Sequence, residues 1–238
     1  MNRAFSIAVP GLLWWVISLN GVACYGRTTG NPKAKQPETF TVSYKDTTVL
    51  QALLDFSMRN QIASGIVLVP DSGVCVPLKN LTIKNARIEN ILDGLLKDSG
   101  YAWSNDHGVY LIKPKIIPQS SDRVLHLKYP QFTSKETTLQ GLGIILSARI
   151  RSSLESTGSA MSILSSSDST TVNPFTLENA TVEQIANYIV NLDERGVWIL
   201  EPHPYESGQM NKGRLQIYGY RDDAARLKNL SCVMPSKQ

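Results

Sequence analysis

Leu81-Thr82-Ile83-Lys84-Asn85-Ala86-Arg87-Ile88-Glu89-Asn90-Ile91 is followed 94 residues later by Phe175-Thr176-Leu177-Glu178-Asn179-Ala180-Thr181-Val182-Glu183-Gln184-Ile185. Thr82, Asn85, Ala86, Glu89 and Ile91 recur as Thr176, Asn179, Ala180, Glu183 and Ile185. In the first stretch Ile88, Ile91, Leu92, Leu95 and Leu96 fall at i, i+3, i+4, i+7 and i+8, which gives a helix one apolar stripe facing a core. Val182, Ile185, Ala186, Ile189 and Val190 repeat that stripe at the same interval. Any two amphipathic helices after a strand look somewhat alike, but shared cap, stripe and spacing together point to an internal duplication. Asn85 reads as the cap of a helix over 87–98, and Gly100 as the left-handed residue that ends it.

Outward from that stretch, Phe40–Tyr44 alternates as a strand, with Asp46 or Thr47 capping a helix over 48–60. Ile66–Val69 reads as a short buried strand, Pro70-Asp71-Ser72-Gly73 as a turn, and Val74–Ile83 as a second extended segment. Tyr101–Ser104 and Val109–Ile112 make a hairpin around Asn105-Asp106-His107-Gly108. The order returns in the second half. Val124–Tyr129 reads as a strand, and Thr133 and Glu136, at capping-box spacing, open a helix from Lys135 to about Leu154. The serine-rich stretch 152–171 cannot bury a core and reads as a loop. Val197–Glu201 and Arg214–Tyr220 supply the second hairpin. The expected fold class is α+β: two similar modules, 38–118 and 119–222, each with two helices on small sheets, and a tail over 223–238.

The first 26 residues read as an export signal: Arg3, then apolar Ala4–Leu19, then small residues at Gly21-Val22-Ala23-Cys24. An uncleaved anchor is the competing reading, since no charge falls between Ala4 and Gly26 and a bilayer crossing takes roughly 20 residues. Lipidation of Cys24 is a third, although Gly21 stands where a lipobox carries Leu. Residues 27–37 are polar and read as a linker. The net charge of +4 resides entirely in Arg3, Arg27, Lys33 and Lys35, because basic and acidic residues balance from Glu38 onward. A nucleic-acid surface needs cations clustered on a folded face, so nucleic acid is not an expected partner. Contact with membrane is expected only through the N-terminal signal, anchor or lipid.

Chemistry has little to work with. His107, His126 and His203 are the whole histidine complement, and none has a second ligand at metal spacing. There is no GxSxG turn, Asp193-Glu194 and Asp222-Asp223 are adjacent pairs that diverge, and Gly141-Leu142-Gly143 falls inside a helical stripe. No catalytic residue, metal or cofactor is expected. Past the signal only Cys75 and Cys232 remain; Cys75 in its apolar run reads as a buried free thiol, with a bridge to Cys232 as the alternative. Trp103, Tyr110, Trp198, Tyr218 and Tyr220 concentrate on the two hairpins. Most should be sheet core, and any on an outer face are candidate anchors for a partner.

Phe40-Thr41-Val42-Ser43-Tyr44, Val49-Leu50-Gln51-Ala52-Leu53-Leu54, Ile66–Val69, Leu81–Ala86, Ile91-Leu92-Asp93-Gly94-Leu95-Leu96 and Gly100-Tyr101 together resemble the short N-terminal domain of secretins and TonB-dependent receptors. The resemblance covers residues 38–114, about a third of the chain, and its motifs are hydrophobic spacing without chemistry. It implies a periplasmic or otherwise exported protein of a Gram-negative cell envelope, an outer-membrane lipoprotein if Cys24 is acylated. It also implies a role in docking a protein partner without catalysis. No pore-forming or barrel region follows, which puts a channel function in doubt. The alternative is an envelope protein that binds glycan or another small ligand through the hairpin aromatics; a hydrolase is the weakest reading.

Overall fold

The computed structural model describes residues 38–69, 73–155, 161–162, 171–192, 196–202, 213–220, 224–228 and 230. The signal and linker, the turn at 70–72, most of the serine-rich stretch, His203, Tyr205 and both Cys24 and Cys232 lie outside them. The fold is α+β.

The chain begins with β1 (Phe40–Tyr44), β2 (Thr47–Thr48), α1 (Val49–Arg59), β3 (Ser64–Val67), β4 (Pro77–Leu78), β5 (Leu81–Ala86), α2 (Ile88–Leu96), β6 (Tyr101–Asp106) and β7 (Val109–Pro114). A short α3 (Gln119–Leu125) follows. Then come β8 (Lys128–Ser134), β9 (Thr137–Thr138), α4 (Leu139–Glu155), β10 (Met161–Ser162), β11 (Thr171–Val172), β12 (Phe175–Thr181), α5 (Val182–Val190), β13 (Gly196–Pro202) and β14 (Gly213–Gly219). α6 (Ala224–Lys228) closes the described chain. Pairing repeats with the order. β1 pairs antiparallel with β5 and β8 with β12; β2 pairs with β4 and β9 with β11. β3 runs parallel to β7, which is antiparallel to β6; β10 runs parallel to β14, which is antiparallel to β13.

The five shared residues hold equivalent positions in the two halves. The Thr82 hydroxyl meets Ser43 across the strands at 3.0 Å, and Thr176 meets Thr133 at 3.2 Å. Asn85 and Asn179 hold φ of 50° and 51°, the left-handed region that asparagine tolerates better than most side chains. Neither is a helix cap: Asn85 lies within β5, Arg87 precedes α2 without a side-chain cap, and Thr181 caps α5 in a box with Gln184. Ala86 and Ala180 are buried, as are Ile91 and Ile185. Glu89 and Glu183 sit in first helical turns, where the helix dipole favours an acid.

Several expectations give way. α1 is capped by Thr48, whose hydroxyl accepts from the Gln51 amide, and not by Asp46 or Thr47. Thr133 is in β8, so its box with Glu136 does not form; Thr138 caps α4 by accepting from the Gly141 amide at 3.0 Å. Part of the expected strand over 124–129 is helical, because α3 packs Val124 and Leu125 into the second core. The expected tail contains α6, whose Leu227 is buried in the first core with α1. Within the serine-rich stretch Met161–Ser162 forms β10 on β14. Cys75 is disulfide-bonded, which overturns the free-thiol reading.

The boundary at 118/119 does not separate two bodies, since the described residues from 38 onward pack as one compact unit. The reason is a single sheet of six strands in the order β10-β14-β13-β3-β7-β6. β13 pairs in parallel with β3, with Trp198 opposite Gly65. Two cores follow. One gathers α1, α2 and Leu227 with Val197 and Ile199; the other gathers α4, α5 and Trp198 with Ala63 and Val67. Successive side chains of a strand point to opposite faces, so the central strands feed both cores and each half completes the other's.

Gly65 makes that junction close. A Cβ there would lie 2.2 Å from Trp198 Cε2. Gly65→Ala is expected to destabilise the fold by about 1–3 kcal/mol through overpacking. Urea unfolding should keep one transition with an unchanged slope and a lower midpoint; two transitions would show halves that fold separately.

Candidate functional site

Three of the five aromatic candidates cannot meet a partner. Trp198, Tyr218 and Tyr220 are buried. The Trp198 indole donates to Asn187 Oδ1 at 2.7 Å, Tyr218 donates to Gln216, and the Tyr220 hydroxyl donates to the Ile62 carbonyl at 2.6 Å. Burial pushes the Tyr220 phenol well above its ordinary value of 10, opposed by hydrogen bonds with Ser64 and Ser57. They are core because the second hairpin lies inside the sheet, covered by the first half.

Trp103 and Tyr110 are half-buried on the first hairpin, with ring centroids 5.9 Å apart. Trp103 Nε1 donates to Asp93 Oδ1 at 2.7 Å, the arrangement that Trp198 makes with Asn187. Asp93 and Asn187 are 94 residues apart, whereas the tryptophans are 95 apart. The one-residue difference, between the helix and the hairpin, hid this equivalence from a fixed-interval comparison. The signal was in the sequence, as was Lys45-Asp46-Thr47-Thr48 against Lys135-Glu136-Thr137-Thr138.

The same set of residues is thus buried in one half and open in the other. Asn187 is buried and its Nδ2 donates to Asp106 Oδ2 at 2.7 Å; Asp93 is exposed. Glu183 pairs with Lys113 at 2.5 Å with both side chains about four-fifths buried (17% and 21% exposed), while Glu89 is exposed with no ion pair among the described residues. β6 ends the sheet. Its hairpin closes through His107 and Gly108, both at positive φ, as the two-residue turn that matches strand twist requires. In an antiparallel pair backbone groups point alternately toward and away from the neighbour. The Lys115 amide donates to the Gly100 carbonyl at 2.9 Å, so counting on from there Trp103 and Asn105 turn theirs outward.

A groove of about 360 Å³ lies where the hairpin turn meets the second half, lined by Asp106, His107, Glu178, Asn179, Tyr188 and Asn191 among others. His107 Nδ1 is 2.6 Å from Asp106 Oδ1, and the Asn191 amide donates to the His107 carbonyl at 3.2 Å. Tyr188, which the sequence reading passed over, is 37% exposed and packs against Phe175 with centroids 4.6 Å apart. A second hollow of about 270 Å³ holds Tyr44, Asp55 and Arg59, but Asp55 already accepts from both of the others. His126 is exposed beside Asp122 at the end of α3. Among the described residues no group of three His, Cys, Asp or Glu side chains is placed to hold a metal, and no helix is long and apolar enough to cross a membrane. The arrangement can pair a strand and cover an aromatic ring.

Comparison with protein-family models, with curated proteins and with solved structures finds no match to this chain.

Tyr220 gives a direct check on the packing. Its raised phenol resists ionisation in the folded state only, so its contribution is constant below pH 10 and is lost as pH rises past the unfolded value toward the folded one. Tyr220→Phe should lower stability at pH 7 by about 0.5–1.5 kcal/mol, the net worth of a hydrogen bond, and flatten the alkaline loss. An alkaline profile identical to that of the unmodified chain would show that Tyr220 is not buried as described.

Proposed function

We propose that the folded part of this chain is a non-catalytic docking module of the Gram-negative cell envelope, similar in role to the short N-terminal domains of secretins and TonB-dependent receptors. It receives a protein partner on the free edge of β6. The carrying observation is the contrast between the halves. Trp198, Asn187 and Glu183 are covered by the first half, Trp198 by the neighbouring β3 and Glu183 by Lys113 of β7, while their counterparts Trp103, Asp93 and Glu89 stand at a six-residue sheet edge with nothing described beyond it. An edge of this kind offers main-chain hydrogen bonds for affinity and side-chain pockets for specificity. Ser104, Asn105 and Asp106 keep it polar, which limits indiscriminate pairing.

Two features support export. The apolar stretch Ala4–Leu19 has the form of a signal, and a disulfide at Cys75 suits an oxidising compartment. The recurrence of element order and of shared residues in equivalent roles supports duplication of one ancestral module.

A second reading is favoured by the groove at the hairpin turn, where Asn179, Gln184 and Asn191 amides stand near Glu178 and the exposed Tyr188. Planar polar groups beside an aromatic ring suit a glycan.

A photo-crosslinking residue at position 104 separates the two. In intact cells it should capture one protein in stoichiometric yield, with loss of the adduct in Trp103→Ala and none from a crosslinker at Lys84 on β5. No adduct at 104, together with retention of the chain on purified cell-wall glycan that Tyr188→Ala abolishes, would favour the groove instead.

A further inference from the structure

The interior junction shows what the fold places against such an edge. β3 lies parallel to β13 over Val197–Leu200. The Leu200 carbonyl accepts from the Leu68 amide at 2.8 Å, Gly65 leaves the space into which the Trp198 ring fits, and Lys113 on the next strand reaches Glu183. By equivalence Asn105 stands for Leu200, Trp103 for Trp198, Asp93 for Asn187 and Glu89 for Glu183. The free edge therefore carries the same recognition elements without their occupant, and more acid, since Asp93 replaces an amide.

We infer that the segment β6 receives is an extended strand of a partner protein, running parallel to β6, with glycine or another small residue opposite Trp103 and a lysine or arginine that reaches Glu89 and Asp93. This rests on the docking reading above and narrows it. A bulky residue opposite Trp103 would meet the indole as a Cβ on Gly65 would meet Trp198. A basic residue answers two exposed carboxylates that lack an ion pair among the described residues.

A second copy of this chain fits less well. Two β6 edges meeting about a two-fold axis would run antiparallel. They would also set Glu89 and Asp93 beside their own copies, where like charges repel.

The probe is a peptide copying residues 61–69, flanked by lysines, added to the isotope-labelled chain and followed by amide NMR. Binding should shift Trp103 and Asn105 and slow the exchange of their amides. A nitroxide on the peptide N-terminus should broaden Ala102 more than Asp106, which reports a parallel strand. A peptide carrying Gly65→Leu should bind at least tenfold more weakly, and Trp103→Ala in the protein should erase that discrimination. Antiparallel broadening, equal affinity of the two peptides, shifts confined to β13, self-association of the chain through β6, or no shift on β6 would each overturn the inference. The crosslink at position 104 is read separately. If it forms while the peptide fails, only this narrower claim falls; if both fail, the docking reading falls with it.

Discussion

The parallel pairing of β13 with β3 is the contact on which the rest of the molecule depends. It seats the Trp198 indole against Gly65 and joins two three-stranded sheets into one of six strands. Neither half has a complete core without it. Val197 and Ile199 pack with α1 and α2, while Ala63 and Val67 pack with α4 and α5. Polar contacts fix the fit at its border: Asn187 bridges the Trp198 indole and Asp106, and Lys113 meets Glu183. A buried amide that satisfies two partners is costly to misplace, since either neighbour would be left without its hydrogen bond. These contacts therefore specify the register as well as adding attraction.

That arrangement also explains the asymmetry between two similar halves. A linear array of modules joined edge to edge leaves one edge of each kind unused. Here the outer edge on one side is β10, described over Met161–Ser162, and on the other it is β6 over Tyr101–Asp106. Trp103 and Trp198 have the same donor, the same kind of acceptor and the same place on their hairpins. What differs is whether a strand lies alongside. Exposure of Trp103, Asp93 and Glu89 is thus a consequence of position in the array.

The legible parts of the sequence were those with local causes. The stripes Ile88–Leu96 and Val182–Val190 read as helices because 3.6-residue periodicity needs no knowledge of the neighbour, and the hairpins read from alternation and turn chemistry. Ser64-Gly65-Ile66-Val67 was visible as a buried strand, slightly shifted, yet nothing in four residues says which edge it joins. That most hairpin aromatics are core was expected, but which hairpin buries them was illegible for that reason: a hairpin inside a sheet and one at its end have the same pattern. α3 was missed because Val124 and Leu125 are its main apolar residues, too few to show a helical stripe. Thr133 and Glu136 have capping spacing by coincidence, while the cap in use, Thr138, was marked by a match to Thr48 at a different interval. Of the candidate site, Trp103 and Tyr110 were named from sequence; Asp93 and Glu89 gained meaning only when their buried counterparts were seen.

Native-state hydrogen exchange on the isolated chain tests this account most directly. The Leu68 amide at the junction should exchange only by the opening that also releases Ile91 in one half and Ile185 in the other, while Trp103 and Asn105 exchange freely. Separate openings for the two halves, or strong protection of Trp103 and Asn105 with no partner present, would contradict it.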